Sequence, residues 1–286
     1  MAEVRDVATG VLQDHGIDLD FSIVEIGARP ISAPEPFHIL PHIFPRSRIH
    51  AFELDVALCE KLNATAPEWM KYYSTALAGA KGKRRVYETA HPMCSSLYEP
   101  QEFWCDNFHN LDVMRLKSTA EIDVGTLDDF AREHALGRLD LMKIDVQGAE
   151  LEILQGGAEA TSDLVAIVTE VEFVPLYKDQ PLFADVDAYL RGRGFMMHKF
   201  LGFGGRSAQS LMVGKAPDKC VQFMWADALY VRNLMNAERL SDEDLYRLAV
   251  IFDLYESPDM AHWAFQQVDN RRGSQLAAAF AKQIAA

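Results

Sequence analysis

Residues 139–157, LDLMKIDVQGAELEILQGG, decide the fold. The segment opens as an apolar strand that ends in a lysine and an aspartate, turns on a glycine, and runs into a helix. Lys143 and Asp145 are two residues apart, so in a strand both point to one face. Opposite charges inside an apolar run are costly to bury unless they are paired. In an open α/β sheet, ligands bind outside the carboxyl ends of the strands. This strand end is therefore the first candidate for a functional site.

The flanking sequence repeats the strand–helix alternation. Residues 21–26 are an apolar run stopped by Gly27, and a loop with Pro30, Pro34 and Pro36 follows, with a brief helix expected before Pro41. Residues 48–52 read as a strand closed by Glu53, 55–63 as a helix, and 71–78 as a third strand. Residues 84–89 and 119–124 read as additional strands around a long irregular segment. Thr126 and Asp129 resemble a capping box that opens a helix over 126–134. The fourth core strand is 139–146, followed by a helix over 149–154 that Gly156 and Gly157 stop. A fifth strand (164–172), a helix (182–191), a sixth strand (195–200) and a candidate seventh (228–232) complete the pattern. Such alternation implies an α/β fold, a doubly wound and mostly parallel sheet covered on both faces. Beyond residue 232 the pattern changes to three helices opened near Ser241, Ser257 and Ser274, a small C-terminal helical appendage. The expected division is 1–232 and 233–286.

Composition narrows the function classes. The chain has 286 residues, 49% of them hydrophobic, 24% charged, and a formal net charge of −14. A nucleic-acid binder needs a basic surface to displace counterions, so no nucleic acid is expected as partner. The one dense basic run, Lys81, Lys83, Arg84 and Arg85, reads as a solvated hairpin turn. Cys59, Cys94, Cys105 and Cys220 lack metal-type spacing and read as reduced thiols of a cytoplasmic protein. No stretch reaches the roughly 18 apolar residues of a transmembrane segment. Val4, Val7, Val11 and Leu12 fall at helical spacing rather than in a signal pattern.

Several residues then carry chemistry. Glu25 and Gly27 end the first strand, where a glycine lets a ligand approach the backbone. Glu53 ends the second, where an acid accepts bonds from ribose hydroxyls. Both suit an adenosine-containing cofactor, although G-x-G-x-x-G is absent. In a doubly wound sheet the fourth strand lies between the first and the fifth. Lys143 and Asp145 would then neighbour Glu25 on one side and Glu170 or Glu172 on the other, with strands about 4.8 Å apart. One ammonium among carboxylates either deprotonates a hydroxyl, holds a divalent ion, or forms a structural ion-pair network. Glu150 faces this cleft or complements the helix dipole. Ser95 and Ser96 sit in a loop suited to hydrogen-bond a cofactor. His38 and His42 are four apart, but Pro41 disrupts their presentation as a metal pair.

At these residues the chain resembles the FkbM-type methyltransferases. KIDVQGAELEILQGG is similar to their signature, VEIGA to their first cofactor motif, AFEL to the second, and GTLDDF, TEVEFVPLY and WADALYVR to further family segments. The likeness spans residues 20–235. It implies the class I methyltransferase (Rossmann-like) fold, S-adenosyl-L-methionine as cofactor, and O-methylation of a sugar, glycan or natural-product acceptor. By position it implies that Gly27 and Ala28 line the methionine part of the cofactor, that Glu25 is the acid of the first cofactor motif, that Glu53 holds the ribose, and that Ser95 and Ser96 match a serine-rich family loop. Lys143, Asp145 and Glu150 match the signature itself. The chain departs from the family where Glu25 replaces an aspartate, where Arg29 and Pro30 replace more flexible residues, and where Leu54 replaces a proline.

A hydroxyl is a weak nucleophile and needs a base or a metal. The expected base is Asp145, with Lys143 orienting it and Glu170 as a second carboxylate or metal ligand; no metal is assigned. The acceptor is expected to contact loops 93–117 and 202–217. A homo-oligomer is compatible with the sequence. Two other readings remain open: a non-catalytic binding module whose GARP loop (residues 27–30) no longer admits cofactor, and a nicotinamide-dependent oxidoreductase.

Overall fold

A computed structural model describes residues 7–30, 34–211 and 222–285. Val4, Cys220 and residues 212–217 of the second acceptor loop lie outside the described residues. In chain order the elements are α1 (Val7–Asp14), β1 (Ser22–Ile26), α2 (Leu40–Ile43), β2 (Arg48–Phe52), α3 (Val56–Asn63) and β3 (Met70–Tyr73). Then come β4 (Ala76–Leu77), β5 (Gly82–Thr89), α4 (Glu102–Asn107), β6 (Leu116–Gly125) and α5 (Leu127–Glu133). The second half holds β7 (Leu141–Ile144), α6 (Glu150–Gly156), β8 (Ala166–Glu172), α7 (Phe183–Gly192), β9 (Phe195–Arg206), β10 (Gln222–Arg232), α8 (Asp242–Leu254), α9 (Pro258–Arg272) and α10 (Leu276–Ile284).

Seven strands form the main sheet in the order β3-β2-β1-β7-β8-β10-β9. Pairing is parallel from β3 across to β8, and β10 runs antiparallel to both β8 and β9. The order reverses between β1 and β7, the switch point at which such sheets bind ligands. This is the doubly wound, mostly parallel sheet expected from the alternation, with the fourth core strand between the first and the fifth. Residues 71–78 are split, however. The main-sheet strand ends at Tyr73, and Ala76–Leu77 joins a second sheet in which β6 pairs parallel with β4 and antiparallel with β5. The strand pair expected at 84–89 and 119–124 is thus a long hairpin-like ribbon, and it stands beside the switch point.

Alternation along each central strand feeds two cores. Val24, Ile26, Met142 and Ile144 pack with α5, α6 and α7 through Leu127, Phe130, Ile153, Leu154, Val186 and Leu190. Ile23, Leu141, Val168 and Leu229 face the other way, into a layer of α1, α8, α9 and α10. Leu245, Leu248, Phe252, Phe265 and Phe280 of the C-terminal helices belong to that layer and are fully shielded from solvent. The helices beyond residue 232 therefore cover one whole face of the sheet, beside α1, and share its core. Ser241 caps α8 by accepting from the Asp244 amide, with the Asp244 carboxylate accepting from the Ser241 amide in return. Pro258 occupies the first turn of α9.

Gly27 is the tightest point of the switch. Its φ is +86°, and a Cβ placed there would lie 1.9 Å from the Asp145 carbonyl oxygen. The Asp145 amide in turn donates to the Ile26 carbonyl at 3.0 Å, which ties the two strand tips together. Gly27→Ala should cost clearly more than the left-handed strain alone, about 1–3 kcal/mol. Gly16→Ala is the control, because Gly16 has φ +68° and a Cβ added to it would meet nothing within 4 Å. Equal losses for the two variants in urea unfolding would refute the steric argument.

Candidate active site

The turn between β7 and α6 is held by Glu150. One carboxylate oxygen accepts from the Val146 amide at 2.8 Å and the other from the Gly148 amide at 2.9 Å. The turn places Gln147 at φ +60° and Gly148 at φ +103°, conformations that need such support. Glu150 is buried. Of the two roles the sequence left open for it, neither describes this clamp. Burial raises its carboxyl to about 7, against the opposing pull of the backbone amides.

So supported, Gln147 gathers the site. Its Nε2 donates to Asp145 Oδ1 at 3.0 Å and to Glu170 Oε2 at 2.8 Å. The Tyr177 hydroxyl lies 3.2 Å from Gln147 Oε1 and 2.9 Å from the Cys94 carbonyl. Ser96 Oγ donates to the Gln147 carbonyl at 2.7 Å and accepts from the Tyr98 amide. Ser95 Oγ accepts from the Thr89 amide.

Lys143 and Asp145 form an ion pair at 2.9 Å on one face, and Glu35 stands 3.9 Å from the same ammonium. Burial is the largest influence on Lys143 and acts to lower it, but the carboxylates of Asp145, Glu35 and Asp227 together hold it above the ordinary lysine value. Glu25 is the direct register neighbour of Lys143, yet its carboxylate is taken by His38 Nε2 at 2.8 Å. His38 is therefore a partner of Glu25, and His42 instead stands edge-on to Trp69. Asp227 on β10 is the register partner of Glu170, and burial followed by repulsion from Asp145 raises its carboxyl. Tyr255, just past α8, closes this face with a buried hydroxyl that has no hydrogen-bond partner among the described residues.

Glu150, Glu170 and Glu172 each offer a carboxylate oxygen within 4.8 Å of the others. Glu170 and Glu172 are pushed far up, chiefly by burial, then by Asp145 and Glu172 around Glu170, and by Glu150 and Asp145 around Glu172. Burial and mutual repulsion thus act in the same direction across this set.

On the other side of the strand tips lies a cavity of about 680 Å³. Gly27, Glu53, Asp145, Gln147, Ser95 and Ser96 contribute to its wall. Thr75 to Leu77 and the β5–β6 ribbon close the opposite side. Of the residues singled out in the sequence, Glu25 and Ala28 lie off this wall, and Lys143 and Glu170 stand behind Asp145 and Gln147. Glu53 is buried and accepts from the Asp55 amide at 2.8 Å and from Arg29 at 3.2 Å. Arg29 also pairs with Asp55 at 3.1 Å. The residue that replaces a flexible one in the GARP loop thus sits on the acids at the end of β2. The basic run is only partly solvated: Lys83 pairs with exposed Glu121 and Asp123, whereas Arg84 reaches across to Glu152 on α6.

The strand order, the glycine-bounded cavity at the switch point and the acid ending β2 define a methyltransferase-type α/β domain. A model of the methyltransferase FkbM domain matches residues 25–197. The chain belongs to that family. It is 25% identical over 154 residues to the 2-O-methyltransferase NoeI of Sinorhizobium fredii, an alignment covering 50% of this chain and 61% of that protein. The chain thus spans about three-fifths of that relative's length. Solved structures with loose similarity include a magnesium protoporphyrin IX methyltransferase of Synechocystis with bound SAM, at 9% identity and TM-score 0.34, covering 80% of this chain and 77% of that one. Another is a putative tRNA methyltransferase of Streptococcus pneumoniae in complex with S-adenosyl-L-methionine, at 10% identity and TM-score 0.35, covering 100% and 96%.

The Glu150 clamp carries a pH signature. Its folded carboxyl titrates near 7 against an ordinary 4.5, so the native state holds the extra proton between those values. The stability from this group is complete below 4.5 and is lost as pH rises through 7. Glu150→Gln should reduce that slope in urea unfolding between acid and neutral pH. It should also cost about 1–3 kcal/mol at the acid end, because an amide nitrogen cannot accept from the Gly148 amide. An unchanged slope would remove Glu150 as its source.

Proposed function

We propose that this chain is an S-adenosyl-L-methionine-dependent O-methyltransferase acting on a hydroxyl of a sugar, glycan or natural-product acceptor. The observation that carries the reading is the set Lys143, Asp145, Gln147 and Glu170, fixed at the switch-point strand tips and presented through Asp145 and Gln147 to a cavity bounded by Gly27 and Glu53. Family membership and the 2-O-methyltransferase relative support methyl transfer to oxygen.

The residues fit the cofactor. Gly27 presents backbone at the cavity wall, Glu53 offers a carboxylate to a ribose diol, and the cavity volume is within the usual range for cofactor sites, about 300–1,000 Å³. When bound, the cofactor supplies an electrophilic methyl group on a sulfonium. Asp145 accepts the proton of the acceptor hydroxyl as that oxygen takes the methyl group. Lys143 stabilises the carboxylate and, with Gln147, fixes its direction. Glu170, whose carboxyl is pushed up by burial and by the acids around it, accepts from Gln147 Nε2 and holds that amide. Gathering both reactants beside one carboxylate supplies much of the rate through orientation.

Calorimetry with S-adenosylhomocysteine should give saturable heat, and NAD should give none. Asp145→Asn should keep that heat and lower single-turnover methyl transfer by about 10²–10⁴-fold. An Asn variant with wild-type turnover would rule Asp145 out as the base, while absence of heat with wild-type protein would overturn the cofactor assignment itself.

A further inference from the structure

The sheet edge opposite the active site bears a second cavity, of about 580 Å³. Its wall comes from residues near the amino ends of β1, β2, β3 and β7 and from the turn after α5. In a chain of net charge −14 this wall is cationic. Arg48, His50, Lys71 and His134 line it, with Asp20 and Asp140 as the acids.

Those acids are already engaged. Asp140 accepts from the Ser22 amide at 2.8 Å and pairs with Arg138 at 2.8 Å and Arg247 at 3.1 Å. Asp20 stands 3.6 Å from Arg247, and Arg46 at the rim is paired with Asp18. The four remaining groups have neutral neighbours. Arg48 Nη1 donates to the Pro45 and Ser47 carbonyls, which leaves the rest of its guanidinium uncommitted. Lys71 Nζ lies 5.0 Å from the Tyr73 ring centre. His50 Nδ1 is 3.4 Å from the Tyr73 hydroxyl, and His134 packs on the Phe130 and Tyr73 rings. Among the described residues none of the four is paired with a carboxylate.

Like charges held together around a concave surface focus a positive potential into it. His50 sits within this group: burial chiefly, and then His134, Lys71 and Arg48, lower its imidazole to about 4, so the standing charge of the wall comes from Arg48 and Lys71. The volume exceeds what a bare tetrahedral anion fills, and the Tyr73 and His134 rings on the wall offer apolar surface to an organic body.

We propose that this cavity is a binding site for a small molecule bearing a phosphate or sulfate ester, with Arg48 and Lys71 holding the oxyanion and His50 and His134 beside it. The site is separate from the strand tips at which methyl transfer is assigned. It stands whether or not that assignment does, and its test uses no cofactor.

The test is a titration of the full chain with inorganic phosphate, pyrophosphate and sulfate at constant ionic strength, following the histidine ring signals by NMR. Chloride is the control. Saturable shifts of His50 and His134 are expected, with the His50 pKa rising as the anion saturates. Lys71→Ala, Lys71→Gln and Arg48→Ala should each weaken the affinity by about tenfold, equal to about 1.4 kcal/mol. Lys81→Ala, in the turn before β5, should leave it unchanged. Tighter binding of pyrophosphate than of sulfate assigns a phosphorylated ligand, and the reverse a sulfated one. Shifts that chloride reproduces, or wild-type affinity in the Lys71 and Arg48 variants, overturn the proposal.

Discussion

A single buried carboxylate organises this active site. Glu150 spends both oxygens on the amides of the turn between β7 and α6. Without those bonds, Gln147 would have no reason to remain left-handed, and its side chain would not reach Asp145 and Glu170. The same turn carries Asp145, whose carbonyl fills the space where a Gly27 side chain would be. The clamp and the glycine therefore work on the same few atoms. One fixes the turn from the helix side, and the other lets it approach β1.

The sheet separates two kinds of surroundings at these tips. The cavity assigned to the cofactor opens beside β1, β2 and the β5–β6 ribbon. On the other face lie Glu25 with His38, Lys143 with Glu35, and Asp227, under Tyr255. Tyr255 follows directly on α8, so the C-terminal helices set its ring beside this second group. Burial and the nearby Glu35, Glu25 and Asp227 carboxylates hold the Tyr255 phenol far above its ordinary value. The helices past residue 232 thus set the local dielectric of the polar face as well as completing the core.

The sheet was legible because period-2 apolar runs and their spacing constrain it strongly. Lys143 and Asp145 were legible for the same reason: two charges in an apolar strand demand partners. The partners themselves were not. Glu35 lies in a proline-rich loop, His38 is read only against His42 in a pair that Pro41 disrupts, and Asp227 lies in the family-like segment WADALYVR without a spacing that marks it as a neighbour of Lys143. Each is brought in by long-range packing, which residue types alone do not reveal. Gln147 was missed because a polar residue in a turn is ordinary until the turn is seen to be clamped. The split after Tyr73 escaped for a related reason, since one continuous β-prone run gave no mark of passing between two sheets.

Charge decides how these acids divide their work. Asp145, Glu35 and Asp227 stand around one lysine, while Glu170 and Glu172 have only other acids as charged neighbours. Lys143 bonds directly to Asp145, whereas Glu170 and Glu172 are set among other carboxylates and away from water. Burial then favours a proton on each of those two, and a protonated acid donates or accepts hydrogen bonds without adding charge. Acids placed side by side thereby take different places, Asp145 at the cavity wall and Glu170 accepting from the Gln147 amide that also bonds Asp145. Placement of the lysine, rather than the number of carboxylates, distinguishes Asp145 from the acids around it.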